Sequence, residues 1–180
     1  MTRIGYIIVV ALVLAGCETP TTQRYAVSAD NNLAIRAMNQ TGIGLGSFQE
    51  PTNFDSSCRM FGPMQIADGL SHGQYIRKAF EDELKMAGAY ATGSPRVRLS
   101  GKLNKLEFSS TSGLTGGYWT IDLALVSSNG KQMRVGEHYE FNSGFEAGSA
   151  CRNVAEAFSR AVQNLVSKAV RNPAFSMLLT

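Results

Sequence analysis

Three cysteines, Cys17, Cys58 and Cys151, and two histidines, His72 and His138, are the residues of this 180-residue chain that offer a soft nucleophile, a base near neutral pH or a transition-metal ligand. No two of them share the close spacing that puts two zinc ligands on one turn. No metal site is therefore expected. Ser71-His72 sets a hydroxyl beside an imidazole, as a hydrolase would require, but adjacency does not hold a nucleophile and base in line, and no orienting acid is evident. Ser71-His72-Gly73-Gln74 reads instead as a helix capping box, with His72 a surface residue of the first turn. The glycines of TGIGLGSF, Gly42, Gly44 and Gly46, suggest a phosphate cradle, yet the dinucleotide fingerprint needs glycine where Ser47 stands, and a helix where Pro51 follows. They predict a strand or loop with a bare face for another backbone, and no cofactor.

The setting of Cys17 gives it a different chemistry. Arg3 supplies a positive charge, Ile4 to Leu14 is apolar but too short to span a hydrocarbon core of roughly 30 Å, and small residues follow. Leu14-Ala15-Gly16-Cys17 resembles the lipobox of bacterial lipoproteins. The resemblance implies a signal peptide over residues 1–16, a Cys17 thiolate that takes a diacylglyceryl group, and a mature chain beginning at an acylated, palmitate-bearing Cys17. Glu18, where aspartate would favour inner-membrane retention, implies delivery to the outer membrane with the domain facing the periplasm.

Residues 17–32 are polar with little apolar content, and read as a lipidated N-terminus and flexible tether. About 15 such residues reach roughly 20 Å root-mean-square, enough for the domain to stand off the bilayer. Residues 33–180 fit one periplasmic domain. The formal net charge of +3 is scattered, so nothing points to nucleic acid. With Cys17 acylated, Cys58 and Cys151 remain as the natural disulfide pair in an oxidising compartment; two free thiols, or a metal site recruiting His72 or His138, are the alternatives.

The elements that must hold these residues follow from periodicity. Leu33, Ile35 and Ala37 alternate as in a strand, and Ile76, Ala79, Phe80, Glu83, Leu84 and Ala87 make a helical face that Gly88 ends. Three period-two runs follow. Val97, Leu99 and Leu103 change parity at Asn104-Lys105 before Leu106 and Phe108, which predicts a bulge. A polar turn, Ser109 to Gly117, leads to Trp119, Ile121, Leu123 and Leu125; Asn129-Gly130 then suggests a type I′ hairpin into Met133, Val135, Tyr139 and Phe141. Glu137 shares that last parity, which predicts a strand edge or bulge for it and not a catalytic acid. A helix from about Ser149 to Arg171 closes the chain at Asn172-Pro173. The fold class is α+β, a small mostly antiparallel sheet of about four strands with two helices on one face.

YIRKAFEDELKMAGAY, PRVRLSGKLNKLEFSS, SSNGK, EHYEF and VRNPAF, spread over about residues 70–176, resemble the YajG-type family of small bacterial lipoproteins. That resemblance implies an envelope lipoprotein and carries no catalytic residues. The topology is also similar to the lipoprotein that helps assemble the lipopolysaccharide-export barrel, an analogy of fold alone. The expected function is a non-enzymatic module tethered to the membrane through Cys17. It would bind an envelope protein through the open sheet face, a sheet edge or the Ser109–Gly117 turn. A lipid or glycolipid carrier, and a hydrolase using His72 or His138, are the rivals; a large apolar cavity would favour the first and a convergent polar cleft the second.

Overall fold

A computed structural model of the chain describes residues 19–180, so the signal-peptide reading and Cys17 lie outside the described residues. The elements run α1 (Ala29–Ala37), β1 (Ile43–Gln49), α2 (His72–Met86), β2 (Val97–Ser112), β3 (Gly116–Ser127), β4 (Gln132–Asn142), α3 (Ala147–Arg171) and α4 (Pro173–Leu178), with short 3-10 turns at Arg59–Phe61 and Ala67–Gly69. The four strands are in sequence order, with β1 parallel to β2 and the other two pairs antiparallel. The parallel pair arises because α2 lies between β1 and β2 in the chain and carries it back to the same end of the sheet.

The period-two residues face the helices. Leu99, Leu103, Trp119, Ile121, Leu123 and Leu125 are buried against α2 and α3, where Phe80, Phe158 and Phe175 complete the packing. The Trp119 indole N–H, deep in this layer, donates to the Val154 carbonyl at 2.9 Å. The register of β2 against β3 shifts between Leu103 and Lys105, where the parity changes in the sequence. The extra residue keeps apolar side chains inward on both sides of the bulge.

Several details differ from the sequence reading. Leu33, Ile35 and Ala37 lie in a helix and not a strand: Ser28 caps α1, and its inward residues are Asn31 and Ile35, four apart. In a helix, position 35 points about 200° away from position 33, so the alternation marks no single face, and Leu33 is exposed while Ile35 is buried. The first strand is the glycine segment, which has the bare face its glycines predict: a Cβ on Gly44 would come within 2.7 Å of Pro95 Cβ. At Asn129-Gly130 only Gly130 takes a positive φ, 86°, so the hairpin turns through a bulge and not a type I′ turn. The Asn129 amide instead ties down the C-terminus, donating to the Met177 and Thr180 carbonyls, both at 3.0 Å. The Ser109–Gly117 turn is mostly ladder, with β2 running to Ser112 and β3 starting at Gly116.

A further difference is the tether. Residues 20–32 are packed on the domain: Thr21 pairs in parallel with Gln65, and Arg24 forms a bidentate pair with Asp68. The Tyr25 hydroxyl (2.6 Å), the Ser28 N–H (2.9 Å) and the Asn31 amide (3.0 Å) all donate to one oxygen of Glu83, which is fully buried. A carboxylate on the inward face of α2 is costly without partners, and the polar N-terminal residues are those partners. The domain therefore begins at about Pro20 and not at residue 33.

Candidate functional site

The outward parity of β2, β3 and β4 forms a face that no helix among the described residues covers. Arg134 on β4 grips Asp122 on β3 with two hydrogen bonds from Nε, at 2.6 and 2.9 Å, and a further contact from its terminal nitrogen. The hydrogen bonds from Arg134 hold the Asp122 carboxyl below the usual carboxylate range. Asn104, carried outward by the bulge, adds a 3.3 Å contact to the same carboxylate. Lys105 and Glu107 pair at 2.8 Å on β2. One pair further along, Thr120 meets His138 Nδ1 at 2.9 Å, Tyr118 lies against the His138 ring at 5.2 Å, and Glu140 is 3.5 Å from its other nitrogen. Cross-strand pairs of this kind fix side-chain positions on an exposed sheet.

The two histidines are far apart in environment as well as sequence. His72 is not the surface residue that its helix-start position predicts: the capping box forms with both hydrogen bonds, but His72 is 5% exposed. Its ring sits edge-on to Phe54 (4.8 Å) and Phe158 (5.0 Å) and near Trp119 (6.0 Å), and its Nε2 has no hydrogen-bond partner. Burial pushes the imidazole down from its usual 6.5 to about 4, so it is neutral in the fold. As pH falls from about 6.5 to about 4, the unfolded chain takes up a proton that the folded chain excludes, and stability declines across that window. The loss expected from this residue is about 3 kcal/mol. Urea unfolding at pH 7 and at pH 4.5 checks it: His72→Phe should flatten the decline, and an equally steep decline in the variant would refute the assignment.

Glu137 lies on β4, an edge strand of the sheet, with no bulge at it. It is buried on the helix-facing side, with the Asn164 amide 3.0 Å and the Lys168 ammonium 2.5 Å away, so α3 neutralises it. Cys58 and Cys151 lie at bonding distance, S–S 2.10 Å with Cα atoms 5.8 Å apart. No helix opens at Gly42–Gly46; β1 begins at Ile43 and continues to Gln49, with a register shift between Leu45 and Phe48. Among the described residues no cluster of three or more histidine, cysteine or carboxylate side chains is placed to hold a metal. None of the helices among these residues is long and apolar enough to cross a membrane.

The grooves are shallow and lie at the surface. One of 360 Å³ runs between the β2 bulge and Pro51–Asp55, and one of 290 Å³ lies between the β4 edge and Asn153, Glu156 and Arg160 of α3. The layer between sheet and helices holds one continuous cluster of buried side chains. Two structural residues had little or no signal in the sequence. Glu83 was visible as a lone carboxylate in an apolar repeat, but its partners were not; Arg59, at a positive φ of 49°, had none.

The class of protein is thus an α+β domain with one covered and one open sheet face. No family model matches the chain, and no curated protein does. Among solved structures, a candidate lipoprotein from Caulobacter crescentus CB15 superposes with a TM-score of 0.50 at 12% identity, over 83% of this chain and 96% of that one. A Xanthomonas campestris protein assigned to the DUF330 family superposes with a TM-score of 0.50 at 12% identity, over 84% and 90%. At such identities the likeness is one of fold.

Proposed function

We propose that the protein is a non-enzymatic envelope lipoprotein, acylated at Cys17 and held at the outer membrane with its domain in the periplasm. In this reading it binds another envelope protein through the open face of its sheet. The observation that carries the reading is that face: a row of fixed, charged and aromatic side chains from Glu107 to Glu140, facing away from a filled core. The lipobox resemblance and the Caulobacter crescentus structure, itself described as a candidate lipoprotein, support the placement in the envelope. Kinship with the YajG-type family is the finer form of the same proposal. A carrier would need an apolar cavity where Trp119, Phe158 and Phe175 are packed.

A photo-crosslinker at Thr120 in living cells tests the reading. An envelope protein is expected to be captured, and Arg134→Glu, which puts two carboxylates together, is expected to lose it at unchanged protein level. His138→Gln keeps a hydrogen-bonding group beside Thr120 and should leave function intact. If that variant, folded and correctly localised, still captured the envelope protein at Thr120 yet were as inactive as a deletion, the hydrolase would replace the binding module, since removing a general base typically lowers rate about 10² to 10⁴-fold.

A further inference from the structure

Three turns meet at one end of the domain, and each projects an apolar side chain. Met60 is 94% exposed, Leu114 87% and Phe145 84%, with Phe61 beside Met60 at 43%. Arg59 ties the three together: Nε and a terminal nitrogen donate to Ser110 Oγ (3.0 Å) and the Ser110 carbonyl (2.6 Å), and the other terminal nitrogen donates to the Phe145 carbonyl (3.2 Å). The Ser143 N–H and the Gly144 N–H both donate to the Thr115 carbonyl, at 2.7 and 3.0 Å, and Cys58 is bonded to Cys151. Single exposed apolar residues are ordinary, but several on one rigid tip mark an interaction site.

The course of the N-terminal chain indicates what the tip meets. Because Thr21 pairs in parallel with Gln65, moving back from Thr21 follows the direction from Gln65 to Pro63, toward Phe61 and Met60. The Pro63 side is bridged to Ser57, so Pro20 lies two strand spacings, about 10 Å, from the base of that turn. The three peptide units from Cys17 to Pro20 span at most about 10 Å. Arg152, which follows the bonded Cys151, is exposed at the same end.

We infer that this tip, carrying Met60, Phe61, Leu114 and Phe145, rests in the interfacial layer of the membrane that holds Cys17. The inference rests on the acylation proposed above. An acyl anchor so close to the first packed residue leaves no room for the domain to stand off. Side chains this exposed project instead of lining a groove, which suits insertion among lipid head groups better than capture of a partner's side chain.

The test uses the acylated, disulfide-bonded mature protein with Phe145→Trp, reconstituted into vesicles of phosphatidylethanolamine and phosphatidylglycerol. Trp119 is fully buried and supplies a constant background. Emission from the new indole is expected to shift to the blue and to be quenched by lipids brominated near the head-group end of the acyl chain. Both effects should be lost when Met60→Asp and Leu114→Asp are added. If the protein carries its acyl mass and floats with the vesicles, yet the indole stays open to iodide and unquenched by bromine, the inference is overturned alone. If the mass of the mature protein shows no acyl group, the anchoring proposal fails and takes this inference with it.

Discussion

Replacing Cys17 with serine is expected to abolish fatty-acid labelling completely and to leave an unprocessed precursor. In the proposed reading the Cys17 thiolate is the nucleophile that takes the diacylglyceryl group, and a serine hydroxyl, almost never ionised near neutral pH, cannot replace it. The effect is large because of how anchoring scales: each buried methylene contributes about 0.8 kcal/mol, so one chain binds reversibly while two or more hold. Without acylation the precursor keeps its uncleaved apolar run, Ile4 to Leu14, and the exposed tip around Met60 and Leu114, but lacks the lipid anchor at Cys17. Metabolic labelling with palmitate, followed by separation of inner and outer membranes, gives the readout. A labelled Cys17→Ser variant would end the lipoprotein reading and with it the argument from the short N-terminal link.

The helix-facing half of the sheet was legible because burial imposes a period on the sequence. Val97 to Leu103 and Trp119 to Leu125 show the alternation, and a bulge is the only economical way to change parity at Asn104 while keeping Leu106 inside. α2 and α3 were legible for the same reason at a different period. What escaped is held by single polar contacts, which leave no period. Thr22, Tyr25, Ser28 and Asn31 look like the composition of a flexible tether, yet each has a defined partner in the domain. For Tyr25, Ser28 and Asn31 that partner is Glu83, more than fifty positions away, and composition cannot express the pairing. The segment 50–70 likewise has only two 3-10 turns and isolated bridges, so its course depends on contacts and not on propensity. His72 was misjudged through that same segment: a first-turn residue is normally exposed, but Phe54, placed by this irregular chain, covers its ring.

Removing the Cys58–Cys151 link should therefore do more than lower stability. The bond closes a loop with a sequence separation of 93 residues, for which the chain-entropy model gives about 4 to 5 kcal/mol, an upper figure because residual structure in the unfolded chain reduces it. For a domain of this size that corresponds to a fall in Tm on the order of 10 °C in Cys58→Ser/Cys151→Ser. The local consequence follows from position. Cys58 begins the turn whose Arg59 holds Ser110 and Phe145, and Cys151 is fully buried in the first turns of α3, so the bond fastens the least regular segment to one of the most buried elements. Releasing it should loosen residues 50–66 ahead of global unfolding, uncover Phe54, and admit water to His72. Amide exchange in that segment is expected to rise more than in β3, and the steep pH dependence between about 6.5 and 4 should weaken in the same variant, because an imidazole in contact with water is no longer held down by burial. Thiol titration of the denatured, unreduced mature protein provides the direct check. Two reactive thiols per chain would show the cysteines unpaired in solution, and a stability loss spread evenly over the domain would show that the bond does not act through the turn at Arg59.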